Sequence, residues 1–131
     1  MAYPLKLNLI LGAYVLRNIV RRRKFPIVLM LEPTHRCNLS CEGCGRIREY
    51  EETRKSDMTA AECFEAVDEC GAPIVSICGG EPTLHPDIVK IIRGILARGK
   101  IVYLCTNGLA IERILPDLTP CPELHINFHI D

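Results

Sequence analysis

Short apolar runs alternate with amphipathic stretches along most of this chain. Runs without polar alternation are typical of strands buried on both faces of a parallel sheet. Four such runs predict strands at residues 25–32, 73–78, 100–105 and 123–130. Apolar residues at helical spacing predict helices at residues 5–23, 59–70, 86–98 and 109–118. Because crossovers of this length join parallel strands with right-handed connections, this order of elements favours a parallel α/β fold.

Local sequence signals mark the ends of two of these helices. Thr59 and Glu62 have the spacing of a capping box, and Gly71 follows the end of the same predicted helix. Pro86 stands where the next helix is predicted to begin, and Gly99 follows its end. Both sets of signals agree with the boundaries that the apolar pattern predicts.

Each predicted strand ends in a cluster of small or polar residues. The clusters occupy residues 33–37, 79–81 and 106–108, and Asp131 follows the fourth strand. Because the carboxyl ends of parallel strands meet at one edge, we expect all four clusters on one rim.

The number of strands and the chain length define the expected fold class. A complete eightfold barrel takes roughly 250 residues, whereas this chain has 131. We therefore expect an α/β fold, the first half of a parallel partial (β/α) barrel, at residues 25–131 and truncated after the fourth strand. An N-terminal helix at residues 1–24 is expected to precede it.

Charge balance and cysteine content limit the classes of function. The 16 basic and 16 acidic residues give a net charge of zero, which does not favour a nucleic-acid partner. The absence of Trp and an aromatic content of 5% argue against base-stacking platforms. The chain has eight cysteines, and its basic cluster follows the first apolar stretch, where a secretory signal would place charge before it. We therefore expect a cytoplasmic protein whose clustered thiols serve metal or redox chemistry.

The first predicted helix, residues 5–23, is apolar in its middle and basic at its end. One interpretation is a helix that packs on the domain. The other is a helix at a membrane surface whose arginines contact anionic lipid, which would make the protein peripheral to the membrane. The sequence leaves both interpretations open.

Three cysteines follow the first predicted strand at the spacing C-x3-C-x2-C: Cys37, Cys41 and Cys44. Three thiolates on so short a loop can converge on one metal centre, and they are one ligand short of a closed four-thiolate site. The missing ligand leaves one metal atom open to another molecule. A zinc site with His35 as the fourth ligand is the alternative.

Together with two later motifs, the cysteine loop resembles the radical S-adenosylmethionine (SAM) superfamily. The later motifs are Gly79-Gly80-Glu81-Pro82 after the second predicted strand and Thr106-Asn107-Gly108 after the third. The resemblance covers residues 26–131. It departs from many members at Gly43, where those proteins carry an aromatic residue before the third cysteine.

The resemblance implies two cofactors, a [4Fe-4S] cluster and SAM. Cys37, Cys41 and Cys44 would bind three irons of the cluster, and SAM would bind the fourth through its amino and carboxylate groups. Reductive cleavage of SAM would then release methionine and a 5′-deoxyadenosyl radical. The usual electron donor of the family is a flavodoxin or ferredoxin.

The same resemblance implies which residues contact SAM. Gly79 and Gly80 would let the backbone approach the methionine part, and Glu81 would accept hydrogen bonds from the ammonium group. Asn107 belongs to the implied cofactor-binding set. Asp131, at the end of the fourth strand, would hold the ribose hydroxyls.

A closer resemblance is to the hopanoid-biosynthesis branch of this superfamily, the adenosylhopane synthases. It rests on the segments LEP, CGRI, DECGAP, GGEP with a following HP, and YLCTN. It implies that the radical adds to the alkene of diploptene, an apolar membrane triterpene. Members of that branch normally have a further C-terminal region.

Radical addition to an alkene leaves a carbon radical, and a thiol is a good hydrogen-atom donor because its S–H bond is weaker than most C–H bonds. The resemblance places this donor at Cys105, within YLCTN, while Cys78 is a second spare cysteine at a strand end. A small buried apolar role is the alternative for Cys105. For the whole chain, the alternatives are a radical SAM enzyme acting on a peptide or cofactor, and a non-catalytic iron–sulfur redox module.

Overall fold

The computed structural model describes residues 5–44 and 56–129, which form one parallel sheet with helices. The helices are α1 (Leu5–Val20), α2 (Ala60–Cys70) and α3 (Ile88–Ala97), and the strands are β1 (Val28–Thr34), β2 (Ile74–Gly79), β3 (Ile101–Thr106) and β4 (Leu124–Phe128). Three single-turn 3-10 helices lie at Pro82–Leu84, Ile111–Arg113 and Leu115–Asp117.

The four strands are all parallel and lie in the order β1-β2-β3-β4. Alternate residues of each strand, such as Val75, Ile77, Val102 and Leu104, point toward α2 and α3 and form the buried core with them. The isoleucines of α3 supply much of that core: Ile88, Ile91, Ile92 and Ile95. This arrangement confirms the expected α/β fold and is that of a partial barrel.

The other face of the sheet carries half-buried or exposed side chains, and we call it the open face: Met30, Ser76, Tyr103, Cys105 and His125. Tyr103 and His125 are cross-strand neighbours whose rings stack with their centroids 4.8 Å apart. The Cys105 Sγ lies 3.6 Å from the Ser76 hydroxyl oxygen. The open face extends along the strands to their carboxyl ends.

Helix α1 lies across the amino-terminal ends of the strands. Leu7 is fully buried, the Tyr14 hydroxyl donates a 2.8 Å hydrogen bond to the Pro26 carbonyl before β1, and Lys6 pairs with Glu123 before β4. The helix therefore packs on the domain, at the end of the sheet opposite the rim. Within the ranges that the structure describes, no helix combines the length and apolar character needed to cross a bilayer.

The capping signals are confirmed at α2. Thr59 and Glu62 form both hydrogen bonds of the capping box, and Gly71 closes the helix in the left-handed conformation with φ 67°. Other boundaries differ from those predicted: β1 begins at Val28, and α3 begins at Ile88 after the Asp87 cap, so Pro86 precedes the helix.

The prediction of a helix at residues 109–118 is wrong. The chain instead makes two separate 3-10 turns there, Ile111–Arg113 and Leu115–Asp117. Pro116 has no backbone N–H and clashes with the preceding turn of an α-helix, so the apolar residues around it pack without continuous helical hydrogen bonding.

Candidate cofactor site

The carboxyl ends of β1, β2 and β3 surround one cavity of about 790 Å³. Its lining includes residues of the cysteine loop, of the turn after β2 and of the end of β3: Cys37, Cys41, Cys44, Gly79, Gly80, Glu81, Cys105 and Asn107. Cys78 and His129 also line it. The structure therefore brings together every predicted site residue that it describes, while Asp131 lies outside the described residues.

The three cysteines of the cysteine loop line this cavity, with Cys41 exposed and Cys37 and Cys44 half-buried. The Leu39 backbone N–H donates to the Cys37 Sγ over 3.4 Å. The Cys44 N–H donates to the Cys41 carbonyl over 3.1 Å and closes the loop.

The spacing of these thiols bears on the kind of metal centre. Within residues 5–44 and 56–129, no three His, Cys, Asp or Glu side chains lie close enough to share a single metal ion. A [4Fe-4S] cluster does not require such convergence, because each thiolate binds a separate iron. The proposed zinc ligand His35 instead lies 3.7 Å from the Glu32 carboxylate. The chemistry of the donor set, three thiolates on one short loop, fits a [4Fe-4S] cluster with one iron left open.

The turn after β2 is held directly against the start of the cysteine loop. The Gly80 N–H donates to the Thr34 carbonyl over 3.0 Å, and the Glu81 N–H donates to the Arg36 carbonyl over 2.7 Å. A Cβ on Gly79, which has φ 114°, would lie 2.5 Å from the Thr34 oxygen, and one on Gly80 would lie 2.2 Å from the Arg36 oxygen. Both glycines are thus required by the packing of this turn on the end of β1, whatever ligand the turn contacts.

Glu81 is almost completely buried, and its carboxylate joins two strand ends. Oε1 accepts hydrogen bonds from the Thr83 N–H (3.0 Å), the Thr83 hydroxyl (2.5 Å) and the Thr106 hydroxyl (2.7 Å). Oε2 accepts one from the Asn107 N–H (2.8 Å). Because a carboxylate oxygen accepts two or more bonds, Oε2 is the oxygen with capacity for a ligand ammonium.

Asn107 links the Glu81 carboxylate to the cysteine loop. Its Nδ2 donates to the Asn38 Oδ1 over 2.8 Å, and its Oδ1 accepts from the Leu109 N–H over 3.0 Å. The side chain that the sequence assigned to SAM binding therefore also fixes the position of residue 38, between the first two cysteines.

Sequence reasoning missed an ion pair that supports the loop. Arg36 donates to both carboxylate oxygens of Asp57, and the Thr34 hydroxyl donates to the same carboxylate over 2.7 Å. Burial raises the pKa of Asp57, but the hydrogen bonds from Thr34 and Arg36 and the charge of Arg36 outweigh it and lower the pKa below its ordinary value. Asp57 is separated from Arg36 by 21 positions of sequence and from Thr34 by 23, so no local pattern indicated its partners.

The thiols differ in their surroundings. Cys63, on α2, is fully buried, and burial raises the pKa of its thiol to about 11, which keeps it protonated. Cys105 and Cys78 are half-buried and line the cavity. The cavity is thus lined by the three thiols of the cysteine loop and by two further thiols, Cys78 near the end of β2 and Cys105 near the end of β3.

Comparison with known proteins identifies the family. The family model of the radical SAM superfamily matches residues 31–131. The probable GTP 3′,8-cyclase of Methanopyrus kandleri is 36% identical over 102 residues, which are 75% of this chain and 32% of that protein. The PqqA peptide cyclase of Ruegeria pomeroyi is 32% identical over 88 residues, 66% of this chain and 24% of that protein. The chain belongs to the radical SAM superfamily.

Solved structures show the same fold. SuiB of Streptococcus suis bound to its precursor peptide SuiA matches with a TM-score of 0.62 and 22% identity, over 88% of this chain and 27% of that chain. SuiB bound to SAM matches with a TM-score of 0.58. The chain spans about a third or less of the length of the relatives described here. The superfamily uses a [4Fe-4S] cluster and SAM, so the two cofactors expected from the sequence are those of the family.

Proposed function

We propose that this protein holds a [4Fe-4S] cluster and SAM in the 790 Å³ cavity and cleaves SAM reductively. The observation that carries the proposal is that the three thiols of the cysteine loop and the turn at Gly79, Gly80 and Glu81 line the same cavity. When bound, the cluster supplies the electron that cleaves SAM into methionine and a 5′-deoxyadenosyl radical.

The residues of the chain position these groups. Cys37, Cys41 and Cys44 hold the cluster as thiolates and leave one iron open. Two backbone hydrogen bonds, to Thr34 at the end of β1 and to Arg36, fix the turn after β2 beside the start of the cysteine loop. The binding positions for SAM and for the cluster are therefore set relative to each other. The Glu81 Oε2 is placed to accept from the SAM ammonium, and Asp131 is proposed for the ribose hydroxyls.

Two substrate classes have support from different observations. Relatives named for cyclisation of GTP and of the PqqA peptide support a cofactor precursor or a peptide as substrate. The segments LEP, CGRI, DECGAP, GGEP and YLCTN support diploptene, with adenosylhopane as the product. The comparisons give more support to the first class. The half-buried thiol of Cys105, which lines the cavity, is the feature of the chain that suits the second.

For an alkene substrate, we assign Cys105 the final step. The carbon radical left by addition takes the hydrogen atom of the Cys105 S–H and becomes a C–H bond, which leaves a thiyl radical. One electron from a flavodoxin- or ferredoxin-type donor and one proton from solvent restore the thiol. The Ser76 hydroxyl lies 3.6 Å from the Cys105 Sγ, within hydrogen-bonding distance of this thiol.

The test is an anaerobic reaction of the reconstituted, reduced protein with SAM and each substrate class. Formation of 5′-deoxyadenosine and methionine supports the cleavage reaction. An adenosine adduct on the triterpene assigns the hopene substrate, whereas altered peptide or nucleotide with free 5′-deoxyadenosine assigns the other class. If the triterpene is the substrate, the Cys105→Ala variant is expected to cleave SAM but to lose or divert the reduced adduct. An unchanged adduct would show that Cys105 takes no part in the reaction.

A further inference from the structure

Helix α1 has an exposed apolar face, which we call the outer stripe: Leu5, Leu9, Leu16, Ile19 and Val20. These side chains are 60–75% exposed. At 3.6 residues per turn they lie within roughly a third of the helix circumference. Gly12 and Ala13 fall within the same sector, and no charged residue does. The stripe is therefore a continuous apolar surface rather than scattered exposed residues.

The opposite face of α1 is the one that packs on the domain. Leu7 is buried, and Tyr14 stacks edge-on against Phe25 in addition to its hydrogen bond to Pro26. The Lys6–Glu123 ion pair, with a 2.5 Å N–O distance, holds the first turn of α1 against the start of β4. Because the helix is attached through this face, the outer stripe is directed away from the body of the domain.

A basic surface adjoins the stripe. Arg17, Arg21, Arg22, Arg23 and Lys24 are all exposed at the end of α1 and just beyond it. The first 31 residues contain six basic and no acidic residues, although the whole chain has a net charge of zero. Positive charge is thus concentrated beside the apolar surface.

The backbone at the end of α1 favours a different residue from the one present. Arg22 has φ 50°, and the hydrogen bonds Arg22 N–H to Ile19 O and Arg23 N–H to Asn18 O form the helix-ending motif that usually places glycine at this position. An arginine is strained there, whereas glycine is not. The chain keeps a positive charge at a position where glycine would be more stable.

We propose that α1 lies in the interface of an anionic lipid bilayer, with the outer stripe in the acyl region and the basic cluster at the headgroups. An apolar face beside a dense basic cluster is the combination that binds such surfaces. A second copy of the chain is a poorer partner for this surface, since the first 31 residues offer no acidic group to the arginines. The cofactor cavity lies at the opposite end of the strands, so docking through α1 leaves it open. The proposal does not depend on the reaction assigned above.

Flotation with phosphatidylcholine vesicles, with and without phosphatidylglycerol as roughly a third of the lipid, tests this directly. The protein is expected to float with the anionic vesicles and to be released by high salt. Arg21→Gln and Arg23→Gln are each expected to lower the affinity about fivefold. Flotation that is equal with both vesicle types, or that ignores salt, would overturn the proposal without requiring any variant.

The apolar contribution has a matched control. Leu9→Glu is expected to lower binding about tenfold or more, because it places a charge in the acyl region. Leu109→Glu changes a residue of nearly the same exposure, 67% against 64%, that lies at the other end of the sheet, and it should bind as the wild type does. Equal losses in both variants would contradict the assigned face. A concentration-dependent dimer that Leu9→Glu dissociates, with no vesicle binding, would assign the stripe to a second copy instead.

The Arg22→Gly variant tests the stability of the protein and its binding to anionic vesicles separately. Removing the strained arginine is expected to raise the melting temperature and to lower affinity for anionic vesicles about fivefold. A variant that is more stable and binds with unchanged affinity would show that the charge at this position does not serve the membrane.

Discussion

The side-chain amide of Asn107 donates a hydrogen bond of 2.8 Å to the Asn38 Oδ1, across 69 positions of sequence. It joins the end of β3 to the cysteine loop, while the backbone N–H of the same Asn107 binds the Glu81 carboxylate. One residue therefore connects the loop that presents the thiols with the turn that we assign to SAM.

This bond should affect cofactor binding more than folding. It is exposed, so Asn38→Ala is expected to cost less than about 1 kcal/mol of unfolding free energy. By loosening the loop, the same change should weaken SAM binding to the reconstituted protein several-fold in calorimetry. Asn38→Asp keeps an acceptor oxygen and should restore binding.

A double-mutant cycle shows whether the two side chains act together. In the Asn107→Ala background, Asn38→Ala should have little further effect on SAM affinity. Additive losses would mean that the two residues contribute separately and that the bond does not couple the loop to the turn.

Gly80 and Gly43, which line the cavity from different loops, provide a second prediction. An added Cβ on Gly80 would lie 2.2 Å from the Arg36 carbonyl oxygen, whereas one on Gly43 would have nothing within 4 Å. Gly80→Ala should therefore destabilise the protein by about 1–3 kcal/mol, and Gly43→Ala should be close to neutral. Urea denaturation measures both, and similar midpoints for the two variants would refute the close packing of the turn on β1.

Glu81 is predicted to stabilise the fold as well as to contact SAM. Its carboxylate accepts four hydrogen bonds, and a glutamine amide would turn a donor toward at least one of those donors. Glu81→Gln is expected to cost about 2 kcal/mol or more of unfolding free energy. Glu42→Gln, at an exposed residue that lines the same cavity, is the control and should cost little. Equal stability of the two variants would contradict the role of Glu81.

The ionisation of Asp57 is expected to make the stability of the fold depend on pH. Its pKa is lower in the folded protein than the ordinary value of 3.8, so ionised Asp57 stabilises the fold above that value. The contribution is lost as the pH falls below 3.8 toward the folded pKa, when the carboxylate that Arg36 and Thr34 contact becomes protonated. Asp57→Asn should cost about 1–2 kcal/mol at neutral pH. Its stability should also fall less than that of the wild type on acidification from pH 5 to 3, and parallel curves would exclude this ion pair as the cause.

The sequence predicted the parts of the fold that local patterns determine. The apolar runs at β2 and β3 indicate buried parallel strands, and the Thr59–Glu62 spacing specifies a cap through contacts within one turn. The motifs at residues 37–44, 79–81 and 106–108 could be placed on one rim because topology alone brings the carboxyl ends of parallel strands together.

The remaining features depend on partners distant in sequence or on one interrupting residue. The two bonds of Arg36 to Asp57 and the bond of Asn107 to Asn38 join residues that no local pattern relates. The prediction of a helix at residues 109–118 was wrong because it rested on the spacing of apolar residues alone. That spacing takes no account of Pro116, which interrupts the helical hydrogen bonds. The clash that fixes Gly80 could not be foreseen either, since its neighbour is the Arg36 carbonyl on another strand end.

We propose that the cysteine loop and the turn after β2 form one cofactor site. The most direct test of this proposal is electron paramagnetic resonance of the anaerobically reconstituted, reduced protein, with and without SAM. We expect a [4Fe-4S]⁺ signal whose shape changes when SAM is added and which is absent after Cys41→Ala. A cluster signal that SAM leaves unchanged would show that the two segments do not form one site, and it would favour an iron–sulfur electron carrier.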